Sequence, residues 1–326
     1  MMEWTDRHCR YFLRQISRHC RLYSEIVTSA ALLRGDPERL LGFHPAEHPL
    51  ALQLGGSDPG ELASAARLGE ALGYDEINLN LGCPSDRVRS GRFGACLMAE
   101  PERVTDCVAA MTASVAVPVT VKTRIGIDDQ DSYEALAAFV ERIAGAGCRT
   151  FIVHARKAIL KGLSPKENRS IPPLRYDVVY QLKNEFPGLT IVLNGGIRQL
   201  DEAAAHLGHV DGVMVGREAY HNPFVLSRVD ARFFADPRKE ADRALIVERM
   251  LPYIERELSA GTELKHISRH MLGLYQGVPG ARAWRRHLSE HAHRAGAGPG
   301  IILDALAAAG AVGEEEETAR AERIYA

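Results

Sequence analysis

The segment Asn78-Leu79-Asn80-Leu81-Gly82-Cys83-Pro84-Ser85 places one cysteine in a Gly-Cys-Pro turn just past an apolar run. A thiol there can serve as nucleophile, metal ligand or general acid. No histidine and asparagine are recognisably arranged for a cysteine protease, and the other cysteines lack metal-ligand spacing. Acid catalysis by Cys83 therefore stands beside the plainer reading of a buried structural cysteine. Cys96, Cys107 and Cys148 lie on helix-like segments and take the plainer reading.

Other apolar runs also end in polar residues. Lys122 ends one and His154 the next, while Gln53 lies near the end of an earlier one. Singly, each has an ordinary explanation, such as a solvated rim lysine or a hydrogen-bonded core imidazole. Two later ends read Asn194-Gly195-Gly196-Ile197 and Gly216-Arg217. Glycines let backbone N–H groups approach a phosphate, a following helix N-terminus favours the charge, and an arginine completes the clamp. The bland alternative is that the glycines allow tight turns. Two such motifs after the last two strands of a parallel barrel favour phosphate. With phosphate loops nearby, Lys122, His154 and Gln53 suit a flavin: the lysine against negative ring charge, the histidine on a ring or phosphate oxygen, the glutamine on a ring edge.

These residues need a scaffold that brings strand ends together. Strands are expected at Ser24–Thr28, Leu50–Leu54, Glu76–Leu81, Pro118–Lys122, Thr150–His154, Thr190–Leu193 and Gly212–Val215. Most are continuous apolar runs, as in parallel sheets covered on both faces. Helix-like segments between them predict an α/β fold on a parallel sheet, either closed into a (β/α)8 barrel or doubly wound. Seven strands fall one short, so the first is expected upstream of Met1-Met2. No Gly-x-Gly-x-x-Gly follows a strand, which disfavours a Rossmann domain. The expected divisions are a catalytic barrel over 1–235, a small all-α domain over 236–310 and an acidic, flexible tail over 311–326.

At 326 residues, with 46% hydrophobic and 25% charged residues, the chain can bury a large core. A formal charge of −2 excludes a generally cationic protein but not a local basic face. One such face is the stretch with Lys265, Arg269, Arg282, Arg285, Arg286 and Arg294 against Glu290. Six scattered cysteines without a Cys-x-x-Cys pair point to reduced thiols in the cytoplasm. No apolar run is long enough to span a membrane. His287-Leu288-Ser289-Glu290-His291 matches an inverted-zincin pattern, but thirteen histidines make a chance match easy.

The run NLNLGCPSDRVRSGRFGACLM at Asn78–Met98 resembles the signature of the tRNA-dihydrouridine synthases. WTDRHCR at Trp4–Arg10, VKTRIGID at Val121–Asp128, VHARKA at Val153–Ala158 and GREAYHNP at Gly216–Pro223 match further blocks in order. GLSPKENRSIPPL and PGARAWRRHLSE are similar to the A-type branch, which acts on D-loop uridines. The resemblance covers Met1 to about Glu290. It implies FMN in a TIM barrel, NADPH as reductant, tRNA as partner and a monomer without membrane attachment. Position by position it implies Cys83 as proton donor and Gln53, Lys122, His154, Asn194, Gly195, Gly196, Gly216 and Arg217 as flavin ligands. The Met1 and Met2 backbone would edge the flavin. Asn80, Lys166, Arg169, Arg282 and Arg285 match tRNA contacts.

The implied reaction adds hydride from reduced FMN N5 to uracil C6 and a proton from Cys83 to C5. The base must leave its stack to reach the site, with basic residues holding phosphates. Two rivals share part of the evidence. A small-molecule FMN reductase of pyrimidine bases explains the loops but not the basic C-terminal region. A non-catalytic RNA-binding protein explains that region but not the loops.

Overall fold

The computed structural model describes residues 1–85 and 91–311, so nearly all of the expected acidic tail lies outside the described residues. Contacts divide the chain into two units. One joins Met1–Glu3 to Arg21–Gly216; the other joins Trp4–Cys20 to the chain from Arg217 onward.

In the first unit seven strands pair in chain order, all parallel: β1 (Leu22–Thr28), β2 (Leu50–Gly55), β3 (Glu76–Asn80), β4 (Val119–Arg124), β5 (Thr150–His154), β6 (Thr190–Asn194) and β7 (Gly212–Met214). No ladder joins β7 to β1 among the described residues. Helices at Pro59–Ala71, Pro101–Thr112, Tyr133–Gly145, Tyr176–Glu185 and Leu200–Leu207 separate strands β2 to β7. The first opens where Asp58 accepts a hydrogen bond from Glu61 N at 2.8 Å, and proline fills its first turn. Gly69 lets that helix press onto the sheet, since a Cβ there would lie 2.6 Å from Leu52 Cδ2 and 2.8 Å from Ile77 Cδ1.

The apolar runs describe only one face of the sheet. Successive strand residues point to opposite faces, and Ile77 and Leu79 are fully buried. The other face of β2 to β4 carries Gln53, Glu76, Asn78, Asn80, Thr120 and Lys122. Glu76, Gln53, Asn78, Asn80 and Thr120 are all buried. The register puts Gln53 beside Asn78 and Asn78 beside Thr120. Their side chains then link in a line: Thr120 Oγ1 to Glu76 Oε1 at 2.6 Å, Asn78 Nδ2 to Thr120 Oγ1 at 2.8 Å, Gln53 Nε2 to Asn78 Oδ1 at 2.8 Å and Asn80 Nδ2 to Gln53 Oε1 at 3.0 Å. Tyr23 OH and Arg21 also bond the Glu76 carboxylate. Buried polar groups are tolerated when each finds partners.

The second unit departs from expectation at its start. A helix spans Arg7–Ile16, where no element was expected, capped by Asp6, which accepts from Cys9 N at 3.0 Å. Cys9, Phe12, Leu13 and Ile16 are its buried apolar stripe. This helix packs in the same unit as Arg243–Ser259, with Arg7 Nη2 2.7 Å from Glu257 Oε2 and Tyr11 stacked on Tyr253 at 3.9 Å. Burial pulls the His8 imidazole down to about 4, and its Nδ1 lies 2.6 Å from Tyr253 OH. Burial alone would raise the Asp6 carboxyl, but His270 and Arg269 hold it well below the usual carboxylate range. Residues 217–235, placed by sequence with the barrel, also group with this unit, beside Leu264–Ser268, Ala281–His291 and a helix over 300–311.

The polar line gives a stability prediction. Thr120→Val removes the hydroxyl that bonds both Glu76 and Asn78, leaving two buried groups short of a partner. The expected loss is roughly 1–3 kcal/mol, read as a lower denaturant midpoint at unchanged slope in urea unfolding. An unchanged midpoint would mean the line carries no stability.

Candidate active site at the strand ends

Cys83 sits three residues past the end of β3, half-buried. The peptide unit before it is held at both ends. Cys83 N donates to Asn80 Oδ1 at 3.1 Å, and the Gly82 carbonyl accepts from Arg124 Nε at 2.8 Å. On the other side, the Cys83 carbonyl accepts from Ala95 N at 3.0 Å. Pro84 further restricts the Cys83 backbone to extended conformations. The side-chain torsion is left as the main freedom, with Sγ 3.5 Å from Ser85 Oγ. Asn80 thus joins the thiol-bearing turn to the polar line inside the sheet, because its Nδ2 bonds Gln53.

Lys122 lies beside Asn80 in the register of β3 and β4. It does not end its strand, as the sequence suggested. β4 continues two residues to Arg124, which pairs with His154 across β5. Lys122 Nζ donates to Asn194 Oδ1 at 3.2 Å, and Asn194 Nδ2 donates to Met214 O at 2.7 Å. Burial, with the Arg124 guanidinium, pulls the Lys122 ammonium down to about 8. A buried ammonium has three donors, and among the described residues Lys122 bonds only this neutral amide.

The glycines divide. Gly195 and Gly196 have φ of 121° and 77°. A Cβ on Gly195 would lie 2.8 Å from His154 Cδ2, and one on Gly196 2.6 Å from Leu174 Cδ1. Backbone and packing demand glycine at both, as the plain reading holds. A Cβ on Gly216 would meet nothing within 4 Å and its φ needs no glycine, so neither packing nor backbone demands glycine there. Met1 belongs to this unit, and Met2 is exposed.

The loops after β4 and β5 are stitched together. Asp128 N donates to Ala158 O at 2.7 Å, Leu160 N to Asp128 Oδ1 at 2.8 Å, and Lys157 Nζ lies 2.9 Å from Asp131 Oδ2. Farther along, Lys166 is exposed and Arg169 half-buried around the short 3-10 turn Glu167–Arg169. Asn168 between them is fully buried and bonds Ile159 N at 2.7 Å and Ile159 O at 2.9 Å. Arg217, Arg282 and Arg285 belong to the second unit. On Ala281–His291, Arg282 and Arg285 are exposed, whereas Trp284 is fully buried and donates to Met271 O at 2.9 Å.

Arg124, Ser85 and Asn78 stood inside quoted runs but were given no role of their own from sequence. Arg124 stood inside the quoted VKTRIGID block, but nothing local shows that a strand-end arginine turns toward carbonyls of two other loops. Cys107 and Cys148 are buried, and burial pushes both thiols up to about 12. In the His287–His291 pattern the two rings stack at 4.4 Å. Among the described residues the one group with ligand spacing is His19, Asp230 and Asp236. Its atoms are already engaged, Asp230 Oδ1 by Ser17 Oγ at 2.6 Å and Asp236 by His19 and Arg238.

The chain is 62% identical over 307 residues to tRNA-dihydrouridine(20/20a) synthase of Escherichia coli (strain K12), covering 94% of this chain and 89% of that one. It is 58% identical over 308 residues to the like-named protein of Vibrio cholerae, covering 94% of each. A solved 2-naphthoyl-CoA reductase complex superposes with a TM-score of 0.50 at 12% identity, covering 69% of this chain and 46% of that one. That likeness concerns the fold alone. The family described as dihydrouridine synthase (Dus) matches residues 1–309, and the chain belongs to it.

Proposed function

We propose that this protein reduces the C5=C6 bond of D-loop uridines in tRNA, at the 20/20a positions that its relatives' names give. The observation that carries this reading is the thiol turn, fixed by Asn80, Arg124 and Ala95 beside Lys122, in a chain of this family. The cofactor we propose is FMN, in the parallel sheet taken as a TIM barrel, with NADPH as reductant and the cytoplasm as setting. The residues fit it: among the described residues Lys122 has unused donors, and no packing or backbone demand explains the glycine at 216. Gln53, Lys122, His154, Asn194, Gly195, Gly196, Gly216, Arg217 and the Met1–Met2 backbone would hold it.

Bound FMN would supply the hydride. Uracil's C5=C6 bond is conjugated to the C4 carbonyl, so hydride adds at C6 and a proton must reach C5. Cys83 is the donor we assign, since its backbone is fixed while Sγ can rotate. The base must be extruded from its stack. Asn80, Lys166, Arg169, Arg282 and Arg285 would hold the tRNA, the cations through phosphates.

Three measurements test this. Cys83→Ala should keep bound FMN but lose about 10²- to 10⁴-fold in dihydrouridine formation; near-wild-type turnover would remove the thiol from the mechanism. An anionic ligand group beside Lys122 needs the ammonium. FMN affinity should therefore weaken as pH rises past about 8, by at most about tenfold per pH unit. In Lys122→Met it should be weaker and flat, and equal slopes would exclude Lys122. Replacing Arg282 and Arg285 with alanine should weaken tRNA binding and lower the salt slope by up to about two phosphate contacts. FMN content should not change, and an unaltered slope would make this a merely solvated face.

A further inference from the structure

We propose that Arg124 is a positioning residue that ties the Cys83 turn to the loop bearing Lys166 and Arg169, a role that rests on Cys83 being the proton donor. Arg124 ends β4 and is 4% exposed. Among the described residues it forms no ion pair. Its partners are three main-chain carbonyls: Gly82 O from Nε at 2.8 Å, and Lys157 O and Asn168 O from Nη1, both at 3.0 Å. Burial draws its guanidinium down to about 10. A buried cation without a carboxylate is costly, and an apolar side chain would avoid that cost. What the cation provides is a rigid planar fork whose donors have fixed directions.

The carbonyls it holds belong to two different loops. Gly82 O is the oxygen of the peptide unit whose N–H, on Cys83, is held by Asn80. Without Arg124 that plane keeps one anchor and can swing, carrying the Cys83 Cα–Cβ direction with it. Lys157 O lies near the start of the loop after β5 and Asn168 O well along it, in the 3-10 turn Glu167–Arg169. Asn168 is itself locked through Ile159, and Lys166 and Arg169 flank it. One planar group therefore sets the spacing between the thiol turn and the loop with two of the proposed tRNA-binding cations. None of its hydrogen bonds goes to a residue proposed to hold the flavin.

The experiment uses the FMN-loaded enzyme with Arg124→Lys, which keeps the charge but not the fork, and Arg124→Met, which keeps neither. Misplacement of a reacting group can cost about 10²-fold, so kcat on tRNA should fall by about that factor in both variants. The FMN affinity and spectrum should stay as in the wild type. Alkylation of Cys83 by iodoacetamide, read by peptide mass spectrometry against Cys96, should become several-fold faster in Arg124→Lys. Hydrogen exchange at the Cys83 and Ile159 amides should quicken together.

Wild-type turnover in Arg124→Lys would overturn the proposal, because charge alone would then suffice. Loss of FMN together with activity would also overturn it, marking a general structural role. So would faster exchange at only one of the two amides, since the loops would then be unlinked. If Cys83→Ala is fully active, the donor assignment fails, and the alkylation and exchange data still decide whether the link exists.

Discussion

A buried line of hydrogen bonds runs across the sheet from Glu76 through Thr120, Asn78 and Gln53 to Asn80, and ends on the Cys83 amide. Each member is oriented by the one before it. An amide in this line cannot flip without stranding a donor against another donor, and an unpaired buried polar group costs roughly 1–3 kcal/mol. The direction in which Asn80 presents its oxygen is therefore set by the ladder register of three strands. The Cys83 turn inherits that direction, so the sheet acts as a template as well as a support.

The same economy shapes the cations. Lys122 and Arg124 lie two residues apart on β4, and both are held down in basicity by burial. Their partners differ in kind. Arg124 is engaged with three carbonyls and is fully a part of the framework. Among the described residues Lys122 bonds a single neutral amide, which leaves donors for the anionic ligand proposed above. Two neighbouring cations of one strand thus differ in how far the framework occupies them. The difference comes from the partners the fold provides, since residue type alone would not separate them.

The second unit shows the reach of a short N-terminal helix. Asp6 caps it and also bonds His270 and Arg269, residues more than 260 positions later in the chain. Arg7 and Tyr11 add contacts to Glu257 and Tyr253. The unit is thereby made from both ends of the chain, and its exposed arginines stand on a helix anchored by the buried Trp284.

Sequence alone determined the strand positions, since six of the seven expected strands begin within one residue of their place and the remaining one within two. Continuous apolar runs bounded by Gly, Pro and Asp are local signals, and local signals survive in one dimension. The Cys83 turn, the glycine loops and the basic helix were legible for the same reason. Tertiary structure decided what depends on register and on distant partners. The Arg7–Ile16 helix was missed because its apolar stripe is short and its stabilising partners lie at the other end of the sequence. The polar face of β2 to β4 was missed because Gln53, Asn78 and Thr120 become neighbours only when the strands pair. Arg124 was passed over because its partners are three carbonyls, and a carbonyl has no residue type to read.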